Sequence, residues 1–285
     1  MTEKITSSQH KQIIRLIEDG IDAIGLSKDG AQRIIENGGR FQHALNLFVN
    51  SFAAGKYHEE NEVVSCFGYR SGYTPKGIAQ QTERLRELFP GIGYANEELA
   101  NASLPENAEG WFAIPRWEKI APTYGEAVRK VLDLIKQTRD GAFHNWREGR
   151  FGPHELLQFF EAEQQFKYFG AEQEGYDILV VPAQFGMRHR GCSVRHARRR
   201  MSQGNEVGLG IFAVGIMLLT HPERLQDDND LWINCAGDEF RPPVPEDFSK
   251  SPVFRFFRNK IELTDISIVS VGGLSSTPSG CYPKD

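Results

Sequence analysis

Apolar positions in the first fifty residues recur at helical spacing. Ile13, Ile17, Ile21 and Ile24 fall one turn apart, while Lys11, Arg15, Glu18, Asp19 and Asp22 cover the remainder, which predicts an amphipathic helix. Ser27 is placed to cap a second helix carrying Ile34 and Ile35, with Asp29 in its first turn and Gly38-Gly39 as its stop. Phe41, Ala44, Leu45, Phe48 and Phe52 trace the apolar stripe of a third. Residues 1–55 are therefore expected to form a small three-helix module. Its middle helix has only Lys28 and Arg33 as cations, beside Asp29 and Glu36, which suits packing or a protein partner better than a DNA groove.

Residues 56–77 are the expected linker. Val63, Val64, Cys66 and Phe67 outline a short strand, and the run from Gly68 to Pro75 is rich in turn formers. From residue 78 to 285, helical and strand patterns alternate. A helix through Ile78, Leu85 and Leu88 stops at Pro90-Gly91, and Trp111 to Ile114 reads as a strand. Thr123 and Glu126 form a capping box ahead of Ala127, Val131, Leu134 and Ile135. A helix starting near Pro153 is expected to bury Leu156, Leu157 and Phe160. Ile178-Leu179-Val180-Val181 reads as a strand covered on both faces, as in parallel or mixed sheets. The apolar run Val207 to Leu219 is shorter than the roughly 20 residues a bilayer span needs, and reads as core. Leu231 to Ile233, Val253 to Phe257, Ile261 to Leu263 and Ile266 to Val271 complete a β-rich ending. The expected fold class is mixed α/β, a helical module followed by a mixed-sheet domain.

Composition narrows the function classes. The chain has 285 residues with 33 Lys+Arg against 38 Asp+Glu, a formal charge of −5, which excludes a globally basic nucleic-acid coat. The polar opening, Met1 to Ser8, contains no signal-peptide core, and Cys66, Cys192, Cys235 and Cys281 form no Cys-x-x-Cys pair. A cytoplasmic location, reduced thiols, no membrane and no resident cofactor are the corresponding expectations.

Against this acidic background, one segment departs sharply. Between Arg188 and Arg200 lie six arginines and two histidines without a single acid. If Ser193 caps a helix, Arg195, Arg198 and Arg199 share one face, with Arg188, His189 and Arg190 on the loop before it. A helix N-terminus beyond the end of a buried strand attracts anions, and guanidinium forks suit phosphate. The expected ligand-binding set is Arg188, His189, Arg190, Ser193, Arg195, Arg198 and Arg199, and the expected ligand is phosphate-bearing, nucleic acid foremost.

Two other readings stay open at this point. In the first, the arginines serve a phosphoester hydrolase. Cys192 and Arg198 have the Cys-x5-Arg spacing of cysteine phosphatases, although Ser193 to Ala197 contain no cradle glycine; alternatively Asp238 and Glu239 hold Mg²⁺ with His189 or His221 as base. In the second, the basic helix is a salt-bridged docking face and the protein is structural.

The runs Val181 to Gly191, Gly208 to Leu225 and Cys235 to Phe240, with Gly110 to Gly125 and more loosely Gly25 to Phe41, resemble a group of uncharacterised hypothetical proteins of candidate-phylum bacteria. The resemblance implies a bacterial source and brings no activity or site residue with it.

Overall fold

The computed structural model describes residues 5–23, 26–36, 38, 42, 62–63, 65–241 and 250–282. The chain divides into two units, Met1–Tyr57 and His58–Asp285. In the first, helix α1 runs Ser7–Ala23 and α2 runs Lys28–Glu36, the latter capped at Ser27, whose hydroxyl accepts from Gly30 N at 3.1 Å. Ile13, Ile21 and Ile35 are exposed. Ile24 and all five positions of the third stripe, Phe41, Ala44, Leu45, Phe48 and Phe52, lie outside the described residues.

The second unit is mixed α/β. Helix α3 (Ile78–Leu88) leads to strand β1 (Gly110–Pro115), then to helix α4 (Tyr124–Thr138), strands β2 (Phe143–Asn145) and β3 (Leu156–Gln158), and helix α5 (Phe160–Glu172). Strand β4 (Ile178–Gln184) is followed by helix α6 (Val194–Gln203), strand β5 (Glu206–Gly208) and helix α7 (Ile211–Thr220). Six strands finish the chain: β6 (Trp232–Asn234), β7 (Asp238–Phe240), β8 (Lys250–Phe257), β9 (Lys260–Ser267), β10 (Ser275–Ser276) and β11 (Ser279–Cys281). No helix among the described residues is long and apolar enough to cross a membrane.

One sheet has the order β1-β4-β11-β5, and its three pairings are all antiparallel. All seven residues of β4 are buried, as its unbroken aliphatic run implies, yet its neighbours are antiparallel. Apart from a parallel bridge from Ala95 to Ile178 at the start of β4, no parallel pairing is found in this sheet among the described residues, so none flanks the carboxyl end of β4 where a switch-point ligand would be expected. The other sheet follows β10-β6-β8-β7-β3, with β9 joining β8 to β2. Its long hairpin β8-β9 turns at Arg258 and Asn259, both with positive φ, the conformation a two-residue twisted hairpin needs. Ile266 belongs to β9 rather than to a separate strand.

Two expectations need correction. The helix expected from Pro153 begins instead at Phe160, because Leu156 to Gln158 pair with Asp238 to Phe240 as an edge strand; Leu157 and Phe160 are exposed. The second half of the 56–77 stretch is not a linker. Tyr73 is buried in the main core, and Tyr69 donates to Glu109 at 2.7 Å, so an aromatic pair has enough burial to dock a turn-rich chain. Of the short strand, Val64 lies outside the described residues, and Glu62 forms a single bridge to Cys192.

The core gathers around α7, buried at every position. Gly215 lets it approach α4 closely, since a Cβ there would stand 2.5 Å from Val131. Helix α4 begins as its capping box predicts: the Thr123 hydroxyl accepts from Glu126 N and donates to Glu126 Oε2 at 2.9 Å. Replacing Thr123 by Ala should cost about 1 kcal/mol, read as a lower urea midpoint with an unchanged m-value; an unmoved midpoint contradicts the capping role.

Candidate functional site

After β4 the chain makes a 3-10 turn at Met187–His189 and reaches α6 through Gly191. Gly191 has φ of +73°, and a Cβ on it would lie 2.1 Å from the carbonyl oxygen of Val63. Only glycine fits both demands, and Val63 N donates to Gly191 O at 2.8 Å. Ser193 caps α6 by accepting from His196 N. The predicted helix is thus correct, and Ser193, fully buried, is its cap rather than a ligand contact.

The arginines do not act as one cluster. Arg198 turns inward, where Nε donates to Ala236 O at 2.9 Å, Nη1 pairs with Glu239 at 2.5 Å, and the guanidinium stacks 3.7 Å over Phe159. Arg188 pairs with Glu206 at 2.6 Å. His189 is buried, its Nε2 3.0 Å from the same carboxylate, which also accepts from Ser279 Oγ at 2.6 Å. Burial pushes the Glu206 carboxyl up, but the hydrogen bonds from His189 and Ser279 and the charges of His189 and Arg188 outweigh it and hold it below the ordinary value. Arg200 pairs with Glu62 at 3.3 Å. Arg190, Arg195 and Arg199 have no acidic partner among the described residues. Arg190 is exposed and donates to Phe67 O at 3.3 Å, and Arg195 and Arg199 are one turn apart on α6.

Arg188, Arg190 and Arg200 line an open groove of about 820 Å³ together with Tyr69, Tyr73 and Glu62. Arg200, although within the arginine-rich segment, is not in the expected binding set, and neither are Glu62 and the two tyrosines. Glu62 lies more than a hundred positions from α6, and only the backbone contact to Gly191 brings it there. The tyrosines were hidden by the turn-rich composition around them. A second cavity, about 700 Å³, lies against Arg116, Trp117, Tyr124, Phe166 and Phe212, and none of the residues singled out in the sequence as site candidates lines it.

The hydrolase constellation is not assembled. Asp238 and Glu239 are neighbours on β7, so their side chains leave opposite faces: Glu239 meets Arg198, while Asp238 lies at the start of α7. There it accepts from Ile211 N at 2.7 Å and from the Tyr124 hydroxyl at 2.8 Å. They cannot jointly hold Mg²⁺ as a pair. His221 follows the other end of the same ten-residue helix, about 15 Å along its axis from Asp238's end. Its Nε2 accepts from Lys76 N at 3.0 Å, and its Nδ1 lies 2.9 Å from the Thr220 hydroxyl. Burial, then the charge of Lys76, pushes it down to about 4. Both ring nitrogens are engaged, which leaves none to take a proton from substrate. Cys192 is buried, and burial followed by the charge of Glu62 pushes its thiol up, against the phosphatase requirement for a thiolate.

Asp238 carries a measurable consequence. Burial pushes its carboxyl up to about 7, despite the hydrogen bonds from Ile211 and Tyr124 and the charge of Arg198. The folded chain thus keeps a proton that the unfolded chain releases near pH 4, so stability falls as pH rises from about 4 through 7 and levels off above. Asp238→Asn should remove up to ~4 kcal/mol of that fall. Urea melts of both proteins across the window check it, and equal pH slopes would contradict it. Comparison with protein-family models, curated proteins and solved structures finds no match for this chain, so its chemistry rests on the geometry above.

Proposed function

We propose that the protein binds a phosphate-bearing ligand, nucleic acid foremost, in the groove beside the Arg188–Arg200 segment. The observation that carries this reading is Arg190, an exposed guanidinium with no carboxylate partner among the described residues, on the wall of an 820 Å³ groove. Arg188 and Arg200 line the same groove, each paired with one carboxylate and each with a side chain about two-fifths exposed. A guanidinium has five N–H donors, so a single carboxylate leaves donors for phosphate oxygens. The volume suits a nucleotide-sized group.

A strand of nucleic acid uses more of this surface than a mononucleotide does. Arg195 and Arg199 lie outside the groove lining, and a polyanion continuing beyond the groove can reach cations that a small ligand cannot. The docking alternative, in which the basic helix pairs with acids of another subunit, would use the same three arginines that have no internal acid among the described residues, so the response to nucleic acid itself separates the two readings. Arg198 leaves the binding set altogether.

Fluorescence anisotropy with a labelled single-stranded oligonucleotide, at several salt concentrations, tests the proposal. Removing one arginine–phosphate interaction should flatten the slope of log K against log salt by about 0.7. Arg190→Ala should show about one such step, and the Arg190→Ala, Arg195→Ala, Arg199→Ala triple variant about three. Arg198→Ala should instead destabilise the fold by about 2 kcal/mol, by removing a largely buried guanidinium with its bonds to Ala236 O and Glu239 and its stacking on Phe159, and leave the slope alone. An unchanged slope in the triple variant rejects the proposal.

A further inference from the structure

We propose that Glu62, Cys192 and His196 form a three-ligand site for a divalent transition-metal ion of the zinc type. Their donor atoms all lie within 4.8 Å of one another. Around a tetrahedral ion with bonds of 2.0–2.3 Å, ligand atoms stand roughly 3.3–3.8 Å apart. His196 Nε2 and Glu62 Oε2 are already 3.4 Å apart.

The backbone explains why these three meet. Cys192 immediately precedes the cap Ser193, and His196 is in the first turn of α6. Side chains of a helix lean toward its N-terminus, so an imidazole four positions on is carried back toward Cys192. Glu62 arrives by main-chain pairing, through its bridge to Cys192 and the Val63 N to Gly191 O bond. The site is therefore held by a single glycine-dependent bridge on one side and a capped helix on the other.

The donor set fixes the class of ion. One thiolate, one imidazole and one carboxylate favour zinc and its neighbours over Mg²⁺ or Ca²⁺, which require oxygen ligands throughout. Three protein ligands leave a fourth coordination position for water or an anion, the pattern of a working site rather than a closed structural one. On binding, the Cys192 thiol gives its proton to solvent as the metal–sulfur bond forms, and the ion sheds bound water to match. Arg200 now sits against the same groups, its Nη1 3.3 Å from Glu62 and 3.7 Å from Cys192 Sγ. It is a cation set against the donor atoms that a metal ion would use, on a side chain about two-fifths exposed, and a bound ion would have to displace it.

Cobalt(II) titration of the full-length reduced protein tests the site, because thiolate-to-cobalt charge transfer and tetrahedral d–d bands report both ligation and geometry. The wild type should bind one Co²⁺ with those bands, and Zn²⁺ should displace it. Cys192→Ala should abolish the charge-transfer band, while Cys66→Ser, at an exposed cysteine outside the three-donor set, should retain it. Glu62→Gln and His196→Gln, at positions less buried than Cys192, should weaken binding by about tenfold or more; they keep the test sound if the cysteine variant misfolds. Arg200→Ala should strengthen binding by removing the competing cation. Absence of the bands in the wild type, or a band that survives Glu62→Gln and His196→Gln unweakened, overturns the proposal. The oligonucleotide salt slope is read without added metal, so either proposal can fail while the other stands.

Discussion

A helix buried along its whole length cannot finish its ends with water, and Ile211–Thr220 is such a helix. Its first free N–H is taken by Asp238, and at the other end the Thr220 hydroxyl donates back to Ile216 O and Met217 O while Lys76 Nζ reaches Thr220 O at 2.7 Å. An acid stands at the positive end and a cation at the negative end, in the sense the helix dipole favours. His221 N donates to Met217 O, and the His221 ring is held by Lys76 and Thr220. The groups with the most catalytic appearance in the sequence, Asp238 and His221, are thus spent on closing the two ends of the central helix.

The same constraint sorts the arginines. A guanidinium taken inside must meet carbonyls, carboxylates or aromatic faces, or its desolvation goes uncompensated. Arg198 meets all three kinds. Arg224, fully buried, donates to Leu231 O and Phe185 O and lies 4.2 Å over Tyr69. Arg116 clasps the carbonyls of Gly170, Gln173 and Tyr176. Among the described residues, Arg190, Arg195 and Arg199 have none of the acids that the interior supplies to Arg188, Arg198 and Arg200, which is why the proposed function turns on them.

What the sequence made legible follows from how local each signal is. The capping box at Thr123, the cap at Ser193, the buried run of β4 and the burial of Val207 to Leu219 depend on neighbours within a turn or on unbroken composition, and all four appear, though the run's division into β5 and α7 was not legible. The strand at Leu156 depended on a partner some eighty residues away, and the short apolar pair Leu156-Leu157 fits helix and strand equally well. Sheet direction was illegible for the same reason: an aliphatic run reports burial on both faces, not the orientation of β1 and β11. Within the candidate site, residue type was visible and partner was not. Arg198 and Arg190 are identical letters with similar surroundings in the chain. Glu239 and Phe159 make Arg198 structural, while Arg190 meets no such pair and stays exposed.

The groove also owes its shape to a segment whose composition suggests a flexible linker. Tyr69 accepts from Met187 N at 3.0 Å and donates to Glu109, while Glu109 accepts from Phe185 N at 3.1 Å, so the wall carrying the tyrosines is bonded directly to the turn that carries Arg188. Tyr73 adds edge contacts to Tyr69, Phe185 and His221. Asp230 holds Arg70 N at 2.8 Å and caps the loop at Gln226 and Asp227. With both walls bonded to each other and to the core, the proposed anion would order little more than the side chains of the arginines that line the groove. Since ordering costs compete directly with contact energy in any weak polar association, a groove built this way can hold a ligand with few charged contacts. That is the condition under which Arg190, with the spare donors of Arg188 and Arg200, would be enough for the proposed ligand.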